Sequence, residues 1–388
     1  IRAIMNTVTK TLRARAFGAF ALLFFLTGHV SAAGQAPDTD PGLLAQFERF
    51  APRDAATGAP LNATLDYTWW DTRMRNLVLS MGLSTRSRES RPQRTVGSQI
   101  LWGHTSSYRL EGTRLVFSLL EPDVIASFTA YRRDLEQTAN RIDITALPRD
   151  EQLAFWINLH NVASAEQIAV HWPVREPDKI LIDGEPLQAS RFITVSGVQM
   201  SLRDIRTRIV YPHWRDPRVI YGFWRGTIGG PSLQREAYNA GNVSFLLNLS
   251  AAEFVNSLRG TQRRGDRMLV SSIYEEAARF YFPSFDTDLR AHLARFAGED
   301  VAEILERTGQ TDASIDIPDI ADLAGGMREP STTPVTINGQ SAFRVSPSIA
   351  RLLEERSTKL NEMGRDRTGT VRVFSNSETG PTAEGEVQ

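Results

Sequence analysis

The run Arg225-Gly-Thr-Ile-Gly-Gly-Pro-Ser232 gathers the residue types in this chain best suited to chemistry. Its glycines let backbone turn sharply or approach a ligand closely, and Arg225 offers a planar, permanently charged fork to a carboxylate. An internal acid is the other partner such an arginine can take. The spacing excludes two common nucleotide sites, because the run holds neither Gly-x-Gly-x-x-Gly nor Gly-Lys-Ser/Thr. Ser232 follows Pro231 where a helix is expected to start, and N–H groups there would stabilise an anion. As a nucleophile Ser232 needs a base, and His213 in Tyr-Pro-His-Trp is the candidate. The plainer reading makes Ser232 a helix-start residue whose hydroxyl satisfies backbone, and His213 a half-buried neighbour of Trp214. His160 and His171 lie eleven residues apart on one predicted helix, and that axial separation of roughly 16 Å is too long for a shared metal. His104 is isolated in Trp-Gly-His-Thr-Ser. The reading is therefore no metal and no cofactor.

Hydrophobic spacing supplies the elements that must position these groups. Pro148 and Asp150 set up a long helix from Glu151 through His171, and Pro173 stops it. Another helix opens at Glu121-Pro122, with Val124, Phe128, Tyr131 and Leu135 on one face. Helices are also expected over 43–50, 65–83, from Ser201, and over 240–260, 271–282 and 286–308. Strands are expected at Leu115–Leu120, at Lys179–Ile182 with an Asp183-Gly184 turn, and at Val219–Phe223. Hairpins are expected over Phe192–Leu202 around Ser196-Gly197 and over Val335–Phe343 around Asn338-Gly339. Ser346-Pro347 then starts a last helix to about Met363, on which Ile349, Leu352, Leu353 and Leu360 fall near one face. If exposed, that face would dock an envelope protein. The basic stretch Arg86, Arg88, Arg91 and Arg94 reads as a solvated loop.

Two blocks, Glu151-Gln-Leu-Ala-Phe-Trp-Ile-Asn-Leu-His-Asn161 and Asp216-Pro-Arg-Val-Ile-Tyr-Gly-Phe-Trp-Arg-Gly-Thr-Ile-Gly-Gly-Pro-Ser-Leu233, resemble the signatures of the family called domain of unknown function 547 (DUF547). Its usual forms run like AFWINLYNA and DPRIHFALNCGAKSCPPL, and the resemblance covers roughly residues 110 to 310. It implies an α+β fold with a papain-like or transglutaminase-like core, here with additional helices and a C-terminal hairpin and helix. It also implies thiol chemistry from a carboxylate, a histidine and a cysteine. Only the carboxylate position is kept, at Glu151; Ile220 replaces the His, Gly230 the Cys, and Trp224-Arg225-Gly226 an Asn-Cys-Gly. In Ser201-Leu-Arg-Asp-Ile-Arg206 a base stands where the family has an acid. The whole sequence contains no cysteine, so no thiol from elsewhere substitutes. What the resemblance leaves is a binding or scaffold protein, its cleft lined by Glu151, Asn158, Asn161, Arg225, Gly226, Gly229 and Gly230, taking an unknown small acidic ligand. The alternative is a serine-dependent hydrolase or transferase using Ser232 with His213, assisted by Glu151.

Composition sets the outer bounds. The 388 residues, 41% hydrophobic and 23% charged, suit an ordinary globular protein. Residues 1–33 read as an export signal: Lys10, Arg13 and Arg15, an apolar run Ala16–Leu26, then Ser31-Ala32-Ala33. The start is then either Ile1 or Met5, the location periplasmic or secreted in a bacterium, and membrane contact limited to that segment if it is uncleaved. Without it 40 basic residues face 45 acidic ones, a mildly acidic balance that argues against nucleic acid. The expected organisation is a signal at 1–33, a linker with a short helix at 34–64, the main domain at 65–330, a hairpin and helix at 331–363, and a disordered tail at 364–388.

Overall fold

The computed structural model describes residues 41–53, 63–93, 100–337 and 340–367. The expected signal, much of the linker, Arg94, the Asn338-Gly339 turn and the tail beyond Arg367 lie outside the described residues. Among the described residues, no helix is long and apolar enough to cross a membrane.

The architecture is α+β, organised around the helix Arg149–His171. Eighteen of its 23 residues are buried, from Glu151 to Ala169, so it has almost no solvent face and acts as the axis of the core. The helix Pro122–Arg141, started by proline at its first position, packs along it with Phe128, Tyr131 and Leu135. The helix Val243–Val255 covers another side. A third neighbour runs from Leu202 to His213, begun by a Ser201/Asp204 capping box and π-helical over Ile205–Val210. Strands are short and peripheral. Hairpins pair Leu181–Ile182 with Glu185–Pro186, Ile193–Val195 with Val198–Met200, and Thr333–Ile337 with Gln340–Val345. Val78–Ser80 pairs antiparallel with Thr113–Leu115. A three-stranded sheet joins Thr261–Arg264 and Arg267–Ser271 to Gln310–Ile315, the last running parallel.

Several expectations are corrected, each for a local polar reason. Leu115–Leu120 is strand only to Leu115, because Phe117 N donates to Asp322 Oδ1 (3.2 Å) and the chain turns over Phe117–Leu119. Val219–Phe223 is no strand: Asp216 Oδ1 accepts from Arg218 N (2.9 Å), Pro217 sets the first turn, and a 3₁₀ helix runs over Pro217–Gly222. No helix starts at Pro231-Ser232; regular structure resumes at Val243. The expected helix over 65–83 is Thr68–Leu77 only, followed by strand. The three-stranded sheet was not foreseen. Its outer hairpin turns at Gly265, at φ +64°.

The basic loop is braced rather than simply solvated. Arg86 donates to Asn256 O (3.1 Å) and Thr261 O (3.0 Å), and Arg88 bonds Gln262 while lying 5.6 Å from the Tyr108 ring centroid. The C-terminal helix Pro347–Arg367 does not present a free apolar face. Ile349 and Leu352 are buried with Met81, Leu110, Leu323 and Val345, Leu353 packs on the same cluster, and Leu360 lies against Gly82. The stripe is therefore consumed by the protein's own core, and the docking reading loses its motive. From Gly42 onward the described residues belong to one compact unit.

The seam between the two cores centres on Asp322, which is fully buried. Its carboxylate accepts from Gly326 N (2.9 Å), Trp172 Nε1 (3.1 Å) and Phe117 N. Burial lifts its pKa to about 6 despite those donors. The folded state thus holds this proton more tightly than the unfolded chain. The associated stability is fully present below about pH 4 and is lost as pH rises through about 6, on the order of 1–3 kcal/mol. We expect the Trp172 indole N–H resonance to titrate with a midpoint near pH 6 and Asp322→Asn to abolish that step; a midpoint below pH 4.5 would contradict the assignment.

Candidate functional site

The polar residues of the first block face backbone, not a cleft. Glu151 accepts from Leu65 N (2.8 Å) through one oxygen and Ala240 N (3.0 Å) through the other. Asn158 closes a two-bond clamp on Tyr238, donating to its O (2.7 Å) and accepting from its N (3.1 Å). Asn161 clamps three residues, donating to Gly222 O (2.9 Å) and accepting from Trp224 N (3.0 Å). All three side chains are buried to 1% exposure or less. The expected cleft set is corrected here: Glu151, Asn158 and Asn161 are staples that hold the irregular segment 222–240 to the central helix. A helix buried on every side leaves its polar groups no water, so they take the nearest unpaired amides.

That stapled segment carries the Arg225 loop. Gly226 adopts φ +82°, and a Cβ there would come within 2.2 Å of Ile168 Cδ1. Gly226 and Ile228 exchange hydrogen bonds with the extended stretch 317–321, through Ala321 N to Gly226 O (2.7 Å) and Ile228 N to Asp319 O (2.7 Å). Gly226 therefore turns the chain and does not line the pocket. Arg225, Gly229 and Gly230 do.

The pocket has a volume of about 410 Å³ and opens between the second block, the helix at Arg203 and Arg206, and the start of the helix Ile273–Tyr281. Arg206 is its floor, 1% exposed. It grips Glu276 with two bonds, Nε to Oε1 (2.8 Å) and Nη2 to Oε2 (3.0 Å). Arg225 Nη2 shares the same Oε1 at 2.7 Å. Burial opposes the Glu276 charge, yet Arg206 and Arg225 hold its carboxyl well below the ordinary range. Arg225 is thus partnered by Glu276, not by Glu151. Trp224 leaves the pocket open, being buried against Phe117 instead.

Arg206 also donates through Nη1 to His160 Nε2 (2.8 Å) and Gln188 Oε1 (2.9 Å). Since a guanidinium only donates, His160 carries its proton on Nδ1, which donates to Asn161 Oδ1 (3.1 Å). Burial and the Arg206 charge keep His160 neutral, its pKa well below the usual value. The same logic orients Gln188: its oxygen accepts from Arg206, which leaves its Nε2 as the group without that partner. That nitrogen is buried and has no protein acceptor among the described residues, and Gln188 lines the pocket.

The structure does not bring Ser232 and His213 together. Ser232 Oγ donates to Glu253 Oε2 (3.0 Å) and accepts from Arg259 Nη2 (3.3 Å), and Arg259 also binds Gly230 O (2.7 Å). His213 ends a different helix; its carbonyl accepts from Arg149, and its Nε2 has no partner among the described residues. Burial, joined by the Arg149 charge and opposed by the Glu48 charge, lowers its pKa. Ser232 lacks the expected helix start behind it, and the histidine expected as its base is not its partner; the group on its hydroxyl is the Glu253 carboxylate. His104 and His171 serve backbone, bonding Asp322 O and Gln167 O.

Sequence reasoning missed Gln188, Arg203, Arg206 and Glu276 as site residues. One signal was present: Arg206 is the base standing at an acidic position of the family pattern, and Glu276 supplies the compensating charge from a distant helix. Residues 144–255 match the model of the family described as "Protein of unknown function, DUF547", and both blocks fall inside that stretch. The match is narrower than the roughly 110–310 the motifs suggested. No curated protein and no solved structure matches the chain.

The staples are testable. Asn158→Ala leaves Tyr238 N and O unpaired in the interior, and we expect a loss of about 2–4 kcal/mol in urea denaturation. Asn161→Ala should cost a similar amount. A loss under about 0.5 kcal/mol for either would mean the segment 222–240 is held by something else.

Proposed function

We propose that this protein is a non-catalytic binding member of a thiol-enzyme-like family, and that its pocket takes a small carboxylate-bearing ligand. The observation that carries the reading is Gln188 Nε2: a buried donor on the pocket wall, fixed in orientation by Arg206, with no acceptor among the described residues. A ligand carboxylate supplies that acceptor. Arg225 adds charge beside it, with its Nη2 on Glu276 Oε1 and its residue lining the pocket. Arg203 adds more, since its guanidinium takes no protein acceptor among the described residues and it also lines the pocket. The pocket volume falls within the about 300–1,000 Å³ of small-ligand sites.

Loss of the family's Cys and His positions supports a binding role over turnover, and the engagement of Ser232 by Glu253 and Arg259 removes the motive for a serine enzyme. The reading keeps a papain-like ancestry for the core, supported by the two blocks, and export to a bacterial periplasm or medium, supported by the order of basic, apolar and small residues in 1–33.

Calorimetry of the purified protein against amino acids, dicarboxylates and their esters should give heat with at least one free carboxylate compound and none with the esters. Arg225→Ala should weaken that binding at least ten-fold. No heat across the panel removes the reading, and hydrolysis of peptide, ester or amide substrates that Ser232→Ala abolishes would replace it with the serine-enzyme alternative.

A further inference from the structure

The two signs of charge in the pocket are left unequal in their pairing. Arg206 and Glu276 close on each other by two bonds. Asp178 and Asp316 also line the pocket, from the turn Pro177–Lys179 and from the residue after the strand Gln310–Ile315. Neither carboxylate has an ion-pair partner among the described residues. Both residues keep exposed surface, while the Asp178 carboxyl is partly desolvated beside the arginines of the pocket. Around Asp178, desolvation and then Asp316 act against ionisation, while Arg225, Arg206 and Arg203 favour it. Asp178 therefore senses both Asp316 and the arginines of the pocket.

A purely anionic ligand would be drawn by Arg203 and Arg225 but would also meet the carboxylates of Asp178 and Asp316, which no ion pair closes off among the described residues. Like charges brought together in a partly desolvated site disfavour binding. A ligand with an ammonium beside its carboxylate answers both sets at once. It also leaves the pocket close to neutral, because Arg203 and Arg225 balance Asp178 and Asp316.

We propose that the pocket recognises a zwitterionic small molecule of the α-amino-acid or dipeptide class, its carboxylate on Arg225, Arg203 and Gln188 and its ammonium on Asp178 and Asp316. This rests on the carboxylate-binding reading above and adds the second charge. The pocket volume of about 410 Å³ lies at the small end of ligand sites, which sets the size class.

The test uses the full chain, with free amino acids and dipeptides, their N-acetylated forms, and succinate and glutarate as carboxylates without an amine. We expect calorimetric binding of at least one free amino acid or dipeptide and at least ten-fold weaker binding of its N-acetylated form. The double variant Asp178→Asn, Asp316→Asn changes only exposed positions; its fold is checked by circular dichroism. It should lose at least ten-fold affinity for the zwitterion while holding or gaining affinity for succinate. Dicarboxylates or N-acetyl forms binding as well as the free amino acids, or a double variant with unchanged zwitterion affinity, overturns the zwitterion proposal and leaves the carboxylate reading standing. Absence of binding by every compound in the set removes both.

Discussion

The structure depends on one constraint: the helix Arg149–His171 has almost no contact with water yet carries Glu151, Gln152, Asn158, His160, Asn161, Ser164 and Glu166. In that setting an unpaired polar group costs more than a hydrogen bond returns, so each must find a partner. Most find backbone. Gln152 bonds Thr145 O and Leu147 O, Ser164 bonds His160 O, and the staples hold Leu65, Gly222, Trp224, Tyr238 and Ala240. A stretch of chain with little regular structure of its own thereby acquires a fixed path. Arg225 lies inside that path, so the pocket inherits its position from the core.

The loop is then gripped from two sides by buried arginines. On one side Arg259, 1% exposed, binds Gly230 O and Ser232 Oγ and pairs with Glu253. On the other, Arg206 and Arg225 converge on Glu276. Such pairs gain little net energy from burial, but breaking one leaves an uncompensated charge in a poor solvent. They therefore act as geometric constraints. The relay from Asn161 through His160 to Arg206 connects the pocket floor to the central helix without any group able to change charge near neutral pH, since His160 is held neutral.

The C-terminal portion is integral to this arrangement. The stretch 317–323 runs between the Arg225 loop and the strand at Leu115, bonding Gly226 and Ile228 on one side and Leu115 on the other. Asp322, inside it, gathers donors from Phe117, Trp172 and Gly326. The last helix then closes the smaller core over Leu323 and Ala324.

The sequence by itself determined the helices whose apolar spacing and proline punctuation are local: Pro122–Arg141, Arg149–His171 with its stop before Pro173, and the last helix from Pro347. It also determined the hairpins at Asp183-Gly184 and Ser196-Gly197, the likeness of the 144–255 stretch to the family's model, and the absence of cysteine. Asn158 and Asn161 were visible as unusual residues, but a polar side chain on a buried helix looks alike in sequence whether it meets a ligand or a backbone amide. The tertiary structure alone decided that, together with the irregular path of 216–242, the parallel pairing of Gln310–Ile315 with Arg267–Ser271, and the Arg206–Glu276 pair. These depend on groups tens of residues apart meeting in low dielectric, where the partner that arrives sets both the conformation and the charge. No local pattern encodes which partner that is.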